Sequence, residues 1–325
     1  MVTTESSIEI CIIQPPLRQD DECPLHATDA VIDLMKEAHQ GNTKSIDLFV
    51  LPELCPVGYT EDTFSKYLPC TKETQTMYST IHTKFQTVAR QLKCHICYGT
   101  IGWKIKKKKI STQVVNGDQQ TRREEQPQDD DERENYDYEY FIRQVVINSQ
   151  GDEIATYDKI HLCDYGDCSE TRFFTSGNEL SSFRITTKAG DTFRFGIIIC
   201  ADMRYPLLSQ LYTRDHNIDV LLQPSCFIRD ISFRTWTSFR ETRAVENGIY
   251  FVACNYAGKD FGSSSIVPPW IDEQHEPIVY GNDVGYLIGT IHRNILNHAR
   301  TQLPFHRHVM NSPDSKTSSS CCDWK

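Results

Sequence analysis

Nowhere in the 325 residues does an apolar run approach the ~18 that cross a bilayer, so no membrane span is expected. The opening Met1-Val2-Thr3-Thr4-Glu5-Ser6-Ser7 has no basic stretch leading into an apolar core, so no secretory leader is expected either. Positive charge is scarce: 34 Lys and Arg stand against 44 Asp and Glu, a formal net charge of −10. That balance argues against binding nucleic acid or an anionic membrane. Paired metal half-sites are missing too. Cys94-His95-Ile96-Cys97 has a CxxC spelling, but residues three apart in a strand face opposite ways, and no second CxxC or HxxxH completes a tetrahedron. His306-Arg307-His308 and Cys321-Cys322 do no better, so neither metal nor cofactor is expected. The 13 cysteines are odd in number and scattered without a secreted-domain spacing. Reduced thiols in the cytoplasm are the expectation.

What is present alternates strand and helix signals over a length that suits one large α/β domain or two small ones. Ile8 to Gln14 reads as a first strand, and Thr28 to Gln40 as a helix with Thr28 its N-cap. Ile46 to Leu51 is a second buried strand that ends in Pro52-Glu53, which puts a carboxylate just past a strand's C-terminal end. In open α/β sheets that edge is where ligands bind. A helix follows over Glu73 to Leu92, then a strand over Cys94 to Ile101. From about 104 to 135 charged and amide side chains dominate, and too little is apolar to offset the entropy of ordering. This stretch is expected to be a disordered surface insertion between two strands. A docking tail for a partner is the alternative reading of the same charge run.

A hairpin, Tyr140 to Ile147 and Glu153 to Tyr157, then delivers Asp158-Lys159-Ile160-His161-Leu162, placing Lys159 at another strand end. A second hairpin, Phe183 to Ile185 and Thr192 to Ile199, runs into Cys200. Ile197 to Ile199 suits a strand covered on both faces, and Ala201-Asp202-Met203-Arg204 is turn-prone, with a helix expected from Leu207 to Thr213. A cysteine on such a corner presents its sulfur at the sheet edge, where the N–H groups opening the next helix can stabilise a thiolate or an oxyanion. The plain alternative is a buried core thiol. Further strands are expected over Ile218 to Gln223, Tyr250 to Cys254, Ser263 to Val267 and Gly285 to Ile291. Helices fill Phe233 to Asn247 and Asn294 to Arg300, and 310–325 reads as a disordered tail after a single domain over 1–309.

Leu51-Pro52-Glu53, Tyr157-Asp158-Lys159-Ile160-His161-Leu162 and Gly196 through Cys200-Ala201-Asp202-Met203-Arg204-Tyr205-Pro206 together resemble the nitrilase superfamily of carbon–nitrogen hydrolases. Arg243-Ala244-Val245-Glu246-Asn247 and Asn255-Tyr256-Ala257-Gly258 extend the likeness, which covers roughly Ile8 to His308. The resemblance implies a four-layer α-β-β-α sandwich and a Glu-Lys-Cys triad, carried here by Glu53, Lys159 and Cys200. It also implies a second glutamate, matched by Glu170 ahead of Phe173-Phe174, as in the N-carbamoyl-amide hydrolases of the group. Ala201 replaces a Tyr that many members carry, and Leu207 stands where a Glu commonly follows the Pro. Those departures bear on substrate preference, because position 201 chiefly contributes its N–H. Homodimers or higher homo-oligomers are implied, packed through the helices flanking Cys200 and Trp236.

The implied chemistry is self-consistent. A thiol of pKa ~8.5 is mostly protonated at neutral pH, so a base such as Glu53 must take its proton. The Lys159 ammonium and the Ala201 N–H can hold the developing oxyanion, at ~3–4 kcal/mol per donor in comparable sites. A small amide or N-carbamoyl amide would thus be cleaved through a thioester to give acid, or amine and CO2, plus ammonia. The alternatives are a nitrilase acting on C≡N and a catalytically retired scaffold, which an unreactive Cys200 would signal.

Overall fold

Alternate residues of the central strands belong to two different cores. In β1 (Ser7–Gln14) Ile8, Ile10 and Ile12 join one apolar cluster, while Cys11 and Ile13 join another. In β2 (Leu48–Val50) Leu48 and Val50 join the first cluster and Phe49 the second. Strands covered on both faces need apolar residues at nearly every position, which is why 10–13 and 48–50 read as unbroken apolar runs, with Glu9 an interruption in β1. The same alternation in β3 (His95–Lys106) sends Cys97 into the first cluster, while Cys94, just before it, lies in the second. The two thiols of the CxxC spelling therefore face opposite ways.

The computed structural model describes residues 6–106, 137–166, 168–303 and 305. β4 (Asp137–Ile147), β5 (Glu153–Asp158) and the late strand β12 (Gly285–His292) complete a first sheet of order β12-β1-β2-β3-β4-β5. The second sheet is built from β6 (Ser182–Thr186), β7 (Thr192–Ile197), β8 (Val220–Pro224), β9 (Tyr250–Cys254), β10 (Ser265–Val267) and β11 (Ile278–Val279), in the order β11-β10-β9-β8-β7-β6. Each sheet has a parallel heart, β1-β2-β3 in one and β7-β8-β9 in the other.

Helices α1 (Pro24–Gly41) and α3 (Lys72–Leu92) cover the first sheet through Val31, Met35, Ile81 and Phe85. α4 (Pro206–His216) and α5 (Arg234–Asn247) cover the second, with Tyr212 and Trp236 fully buried. The result is the expected α-β-β-α sandwich. A short α2 (Glu61–Tyr67) and a final α6 (Arg293–Gln302) complete the helices of the described residues.

Three local expectations change. Helix α1 starts at Pro24, not at Thr28, because proline at the first helical position has its φ preset and no N–H to satisfy. Thr28 lies one turn inside, its hydroxyl donating to the Pro24 carbonyl at 2.7 Å. Helix α2 is an addition to the expected elements: seven residues capped by Thr60, whose Oγ1 accepts the Thr63 N–H at 3.0 Å. β3 runs on through Lys106, which pairs with Asp137, so Lys104–Lys106 belong to a strand. The rest of the charged stretch, 107–136, and the C-terminal tail from 306 onward lie outside the described residues.

Candidate active site

Parallel strands that end together put several chain corners at one edge; Glu53, Lys159 and Cys200 stand on such corners, and Glu170 in the loop between β5 and β6. Glu53 follows β2 in a tight turn closed by Cys55 N–H to the Pro52 carbonyl at 3.3 Å. Its neighbour Leu54 takes a left-handed φ of 53°. The turn passes so close to β3 that a Cβ on Gly99 would lie 2.3 Å from the Leu54 nitrogen, so only glycine fits there. Tyr256 donates to the Glu53 carbonyl at 2.8 Å and fixes the turn from the second sheet.

Lys159 comes directly after β5. Its N–H donates to the Ile142 carbonyl at 2.9 Å and its carbonyl accepts the Gly177 N–H at 2.8 Å, so the backbone is gripped from both sides. Glu170 opens a single 3-10 turn, Glu170–Arg172. Cys200 follows the Ile198-Ile199 extension of β7 with φ 43°, a left-handed conformation that costs a non-glycine residue of order 1–3 kcal/mol. Here the expectation is corrected. The N–H groups beside Cys200 belong to a 3-10 turn, Cys200–Arg204, and α4 begins only at Pro206.

The side chains of three of these residues converge. Lys159 Nζ donates to Glu53 Oε1 at 2.7 Å and to Glu170 Oε1 at 2.8 Å, and all three side chains are essentially excluded from solvent. The remaining carboxylate oxygens are satisfied as well. The Cys226 N–H donates to Glu53 Oε2 at 3.0 Å, and the Cys163 N–H donates to Glu170 Oε2 at 2.8 Å. Tyr59 donates its hydroxyl to Glu170 Oε1. Cys200 is 8 % exposed, and it meets solvent through a cavity of about 500 Å3 whose lining also includes Tyr59, Cys163, Cys168, Arg204 and Phe227. Ala201 is buried in the same 3-10 turn, one residue after Cys200.

Charge in this water-poor cluster is set by opposing effects. Burial works against the Lys159 ammonium, but the Glu170 and Glu53 carboxylates outweigh it and hold its pKa well above the usual lysine range. Burial raises the Glu53 carboxyl, and the Lys159 ammonium does not fully offset it. At Glu53 burial therefore outweighs pairing. Burial, with Glu53 close by, likewise drives the Cys200 thiol well above its normal value, so the resting sulfur is protonated.

Sequence reasoning did not single out Asp202, Tyr59, Cys163 or Cys226. Asp202 is fully buried and joins the lysine loop to the cysteine corner. It accepts from the Ile199 N–H at 3.0 Å, the Tyr157 hydroxyl at 2.7 Å, and both the N–H and Nδ1 of His161 at 2.8 Å. Its place inside the quoted segment around Cys200, two residues after the nucleophile candidate, was a usable signal. Cys226 and Cys163 act through backbone N–H groups, which have no spelling in a sequence. Asn255 holds the Cys226 loop from below, with Oδ1 accepting the Phe227 N–H at 2.9 Å and Nδ2 donating to the Phe227 carbonyl at 3.0 Å.

Fold and cluster together mark the class: a four-layer sandwich with an acid–lysine–acid cluster and a cornered cysteine at the meeting edge of its two sheets. The chain belongs to the carbon–nitrogen hydrolase family, whose description matches residues 13–277. Bovine (Bos taurus) deaminated glutathione amidase is 32 % identical over 177 residues, which cover 50 % of this chain. The match spans about half of that relative's length, 51 %. Among solved structures, Saccharomyces cerevisiae Nit3, a member of branch 10 of the nitrilase superfamily, aligns with a TM-score of 0.66 at 20 % identity. That alignment covers 92 % of this chain and 94 % of Nit3. A variant of the amidase from Nesterenkonia sp. AN1 aligns with a TM-score of 0.63 at 21 % identity, over 93 % of this chain and 96 % of its own. That amidase carries the acetamide moiety of fluoroacetamide covalently on its active site cysteine.

Proposed function

We propose that the protein hydrolyses a small amide or N-carbamoyl amide through a thioester on Cys200. The observation that carries this reading is the Lys159 ammonium clamped between Glu53 and Glu170, whose hydrogen-bond partners Cys226, Tyr59 and Cys163 line the cavity into which Cys200 opens. In the proposed sequence Glu53 takes the Cys200 proton as the sulfur attacks the carbonyl carbon. Lys159 and the Ala201 N–H receive the oxyanion. Glu53 returns the proton to departing ammonia, then draws a proton from the water that cleaves the thioester. Glu170 orients the lysine and the leaving group.

The family membership and the covalent adduct on the cysteine of that amidase support a nucleophilic role for Cys200. Assembly into homodimers or larger homo-oligomers through α4 and α5 is part of the proposal, with Tyr205 and Leu207 exposed at the start of α4. So is residence in a reducing, cytoplasm-like compartment, since the eleven described cysteines are all free thiols. Among the described residues no helix is long and apolar enough to cross a membrane.

Ammonia release across a panel of amides, N-carbamoyl compounds and nitriles tests the reading, with the Cys200→Ala protein as control. Release from amides or carbamoyl compounds that the control lacks is expected. Release from nitriles alone would overturn it.

A further inference from the structure

Two thiols at the cavity mouth have no part in the chemistry above. Cys163 and Cys168 line the same cavity as Cys200, and each thiol alters the acidity of the other. The loop between them closes on the Tyr165 carbonyl, which accepts the Cys168 N–H at 3.3 Å and faces the Cys163 sulfur at 4.0 Å. Both residues are also tied to Glu170, Cys163 through its backbone and Cys168 through Tyr59. Cys163 exchanges backbone bonds with it: the Cys163 N–H donates to Oε2 at 2.8 Å, and the Glu170 N–H donates to the Cys163 carbonyl at 3.1 Å. Tyr59, whose hydroxyl holds Glu170 Oε1, also reaches the Cys168 sulfur at 3.8 Å.

We propose that Cys163 and Cys168 are a redox-active dithiol that a hydroperoxide oxidises to an intramolecular disulfide, displacing Glu170. The Cys163 thiolate attacks the terminal peroxide oxygen, the O–O bond breaks, and the departing oxygen takes up a proton as water or alcohol. Cys168, losing its proton, then attacks the sulfenic sulfur of Cys163, and the second oxygen leaves as water. Two thiols and one hydroperoxide become one disulfide, one water, and one further water or alcohol.

The two sulfurs differ in the way such a pair requires. The hydrogen bond from Cys168 outweighs burial and lowers Cys163 to about 7, whereas the same contact raises Cys168. Cys163 is thus the thiolate and Cys168 the resolving thiol. Cys200, held protonated, is the poorer target for peroxide. Forming an S–S bond of about 2.05 Å draws both sulfurs together. That motion pulls Cys168 from Tyr59 and drags the backbone that grips Glu170. A misplacement on the order of 1 Å in such a site costs about 100-fold in rate.

The effect on turnover rests on the function proposed above; the disulfide itself does not. The test therefore begins with the Cys200→Ala chain, treated with hydrogen peroxide, capped with iodoacetamide and mapped by peptide mass. A Cys163–Cys168 cross-link two hydrogens lighter, removed by dithiothreitol and missing from the Cys168→Ser form, is expected. Sulfinic acid at Cys163 without a cross-link, or a cross-link to Cys226, would overturn the proposal. In the parent protein turnover should fall about 10- to 100-fold in step with the cross-linked fraction and return with dithiothreitol. Undiminished turnover in fully cross-linked protein would overturn the coupling to Glu170. A reduced protein inert on every amide, with the cross-link still forming, would count against the proposed hydrolysis alone.

Discussion

At the scale of the residue, the informative contest is between burial and pairing. Lys159 holds two carboxylates at hydrogen-bonding distance, yet Glu53 still binds its proton more tightly than a solvated acid does. If Glu53 must be ionised to act as base, kcat/KM should fall on the acid side at a pH above the ordinary carboxylate value of ~4.3. Glu170 is one of the charges that raises Glu53, so Glu170→Gln should move that limb to lower pH. A pH profile that moves upward, or not at all, contradicts this account. The assigned roles also separate by variant. Cys200→Ala should form no acyl adduct by intact-protein mass spectrometry, and Glu53→Gln should slow both half-reactions by roughly 10²–10⁴-fold. Lys159→Ala leaves Glu53 and Glu170 facing each other without a cation. It should lower stability by about 3–5 kcal/mol as well as lose activity, readable in a denaturant titration. Glu53, Lys159 and Cys200 were legible because each ends a strand within a recognisable phrase. Tyr59 and the Cys226 N–H were not, because they meet the cluster only through the folded path of other loops.

At the scale of the element, turns hold the site more than helices do. The turn after β2 carries Glu53 and rests on Gly99 of the neighbouring strand, where an added methyl would meet Pro52 and Leu54 backbone atoms within 2.7 Å. Gly99→Ala should therefore shift this turn. It should cost about 1–3 kcal/mol of stability and lower kcat more than 100-fold, with thermal melting and steady-state rates as the two readouts. A stable, fully active Gly99→Ala protein would show that the turn does not position Glu53. The strands covered on both faces were easy to read from their unbroken apolar runs. Helix α2 was not, because seven residues contain barely two turns of periodicity. The two-residue β11 leaves no pattern at all, and its Ile278 and Val279 are half-exposed.

At the scale of the whole molecule, the sandwich was legible only through the family likeness; no local period says which strands share a sheet. Nor does any local pattern say that β12, far along the chain, lies against β1 over eight paired residues. The long charged stretch joins strand ends already in register, Lys106 against Asp137. Replacing 107–136 by a short Gly/Ser link should then leave melting temperature and turnover nearly unchanged, because loop length is only weakly penalised. Loss of folded protein after that exchange would give the stretch a structural role. The charge cluster draws Glu53, Lys159 and Glu170 from the first sheet and its loops, and the Cys226 N–H and Cys200 from the second. Neither half of the sandwich holds this cluster by itself. An amide-like reagent that loads Cys200 would therefore count assembled molecules in a mixed population, turning a chemical label into a census of correctly folded chains.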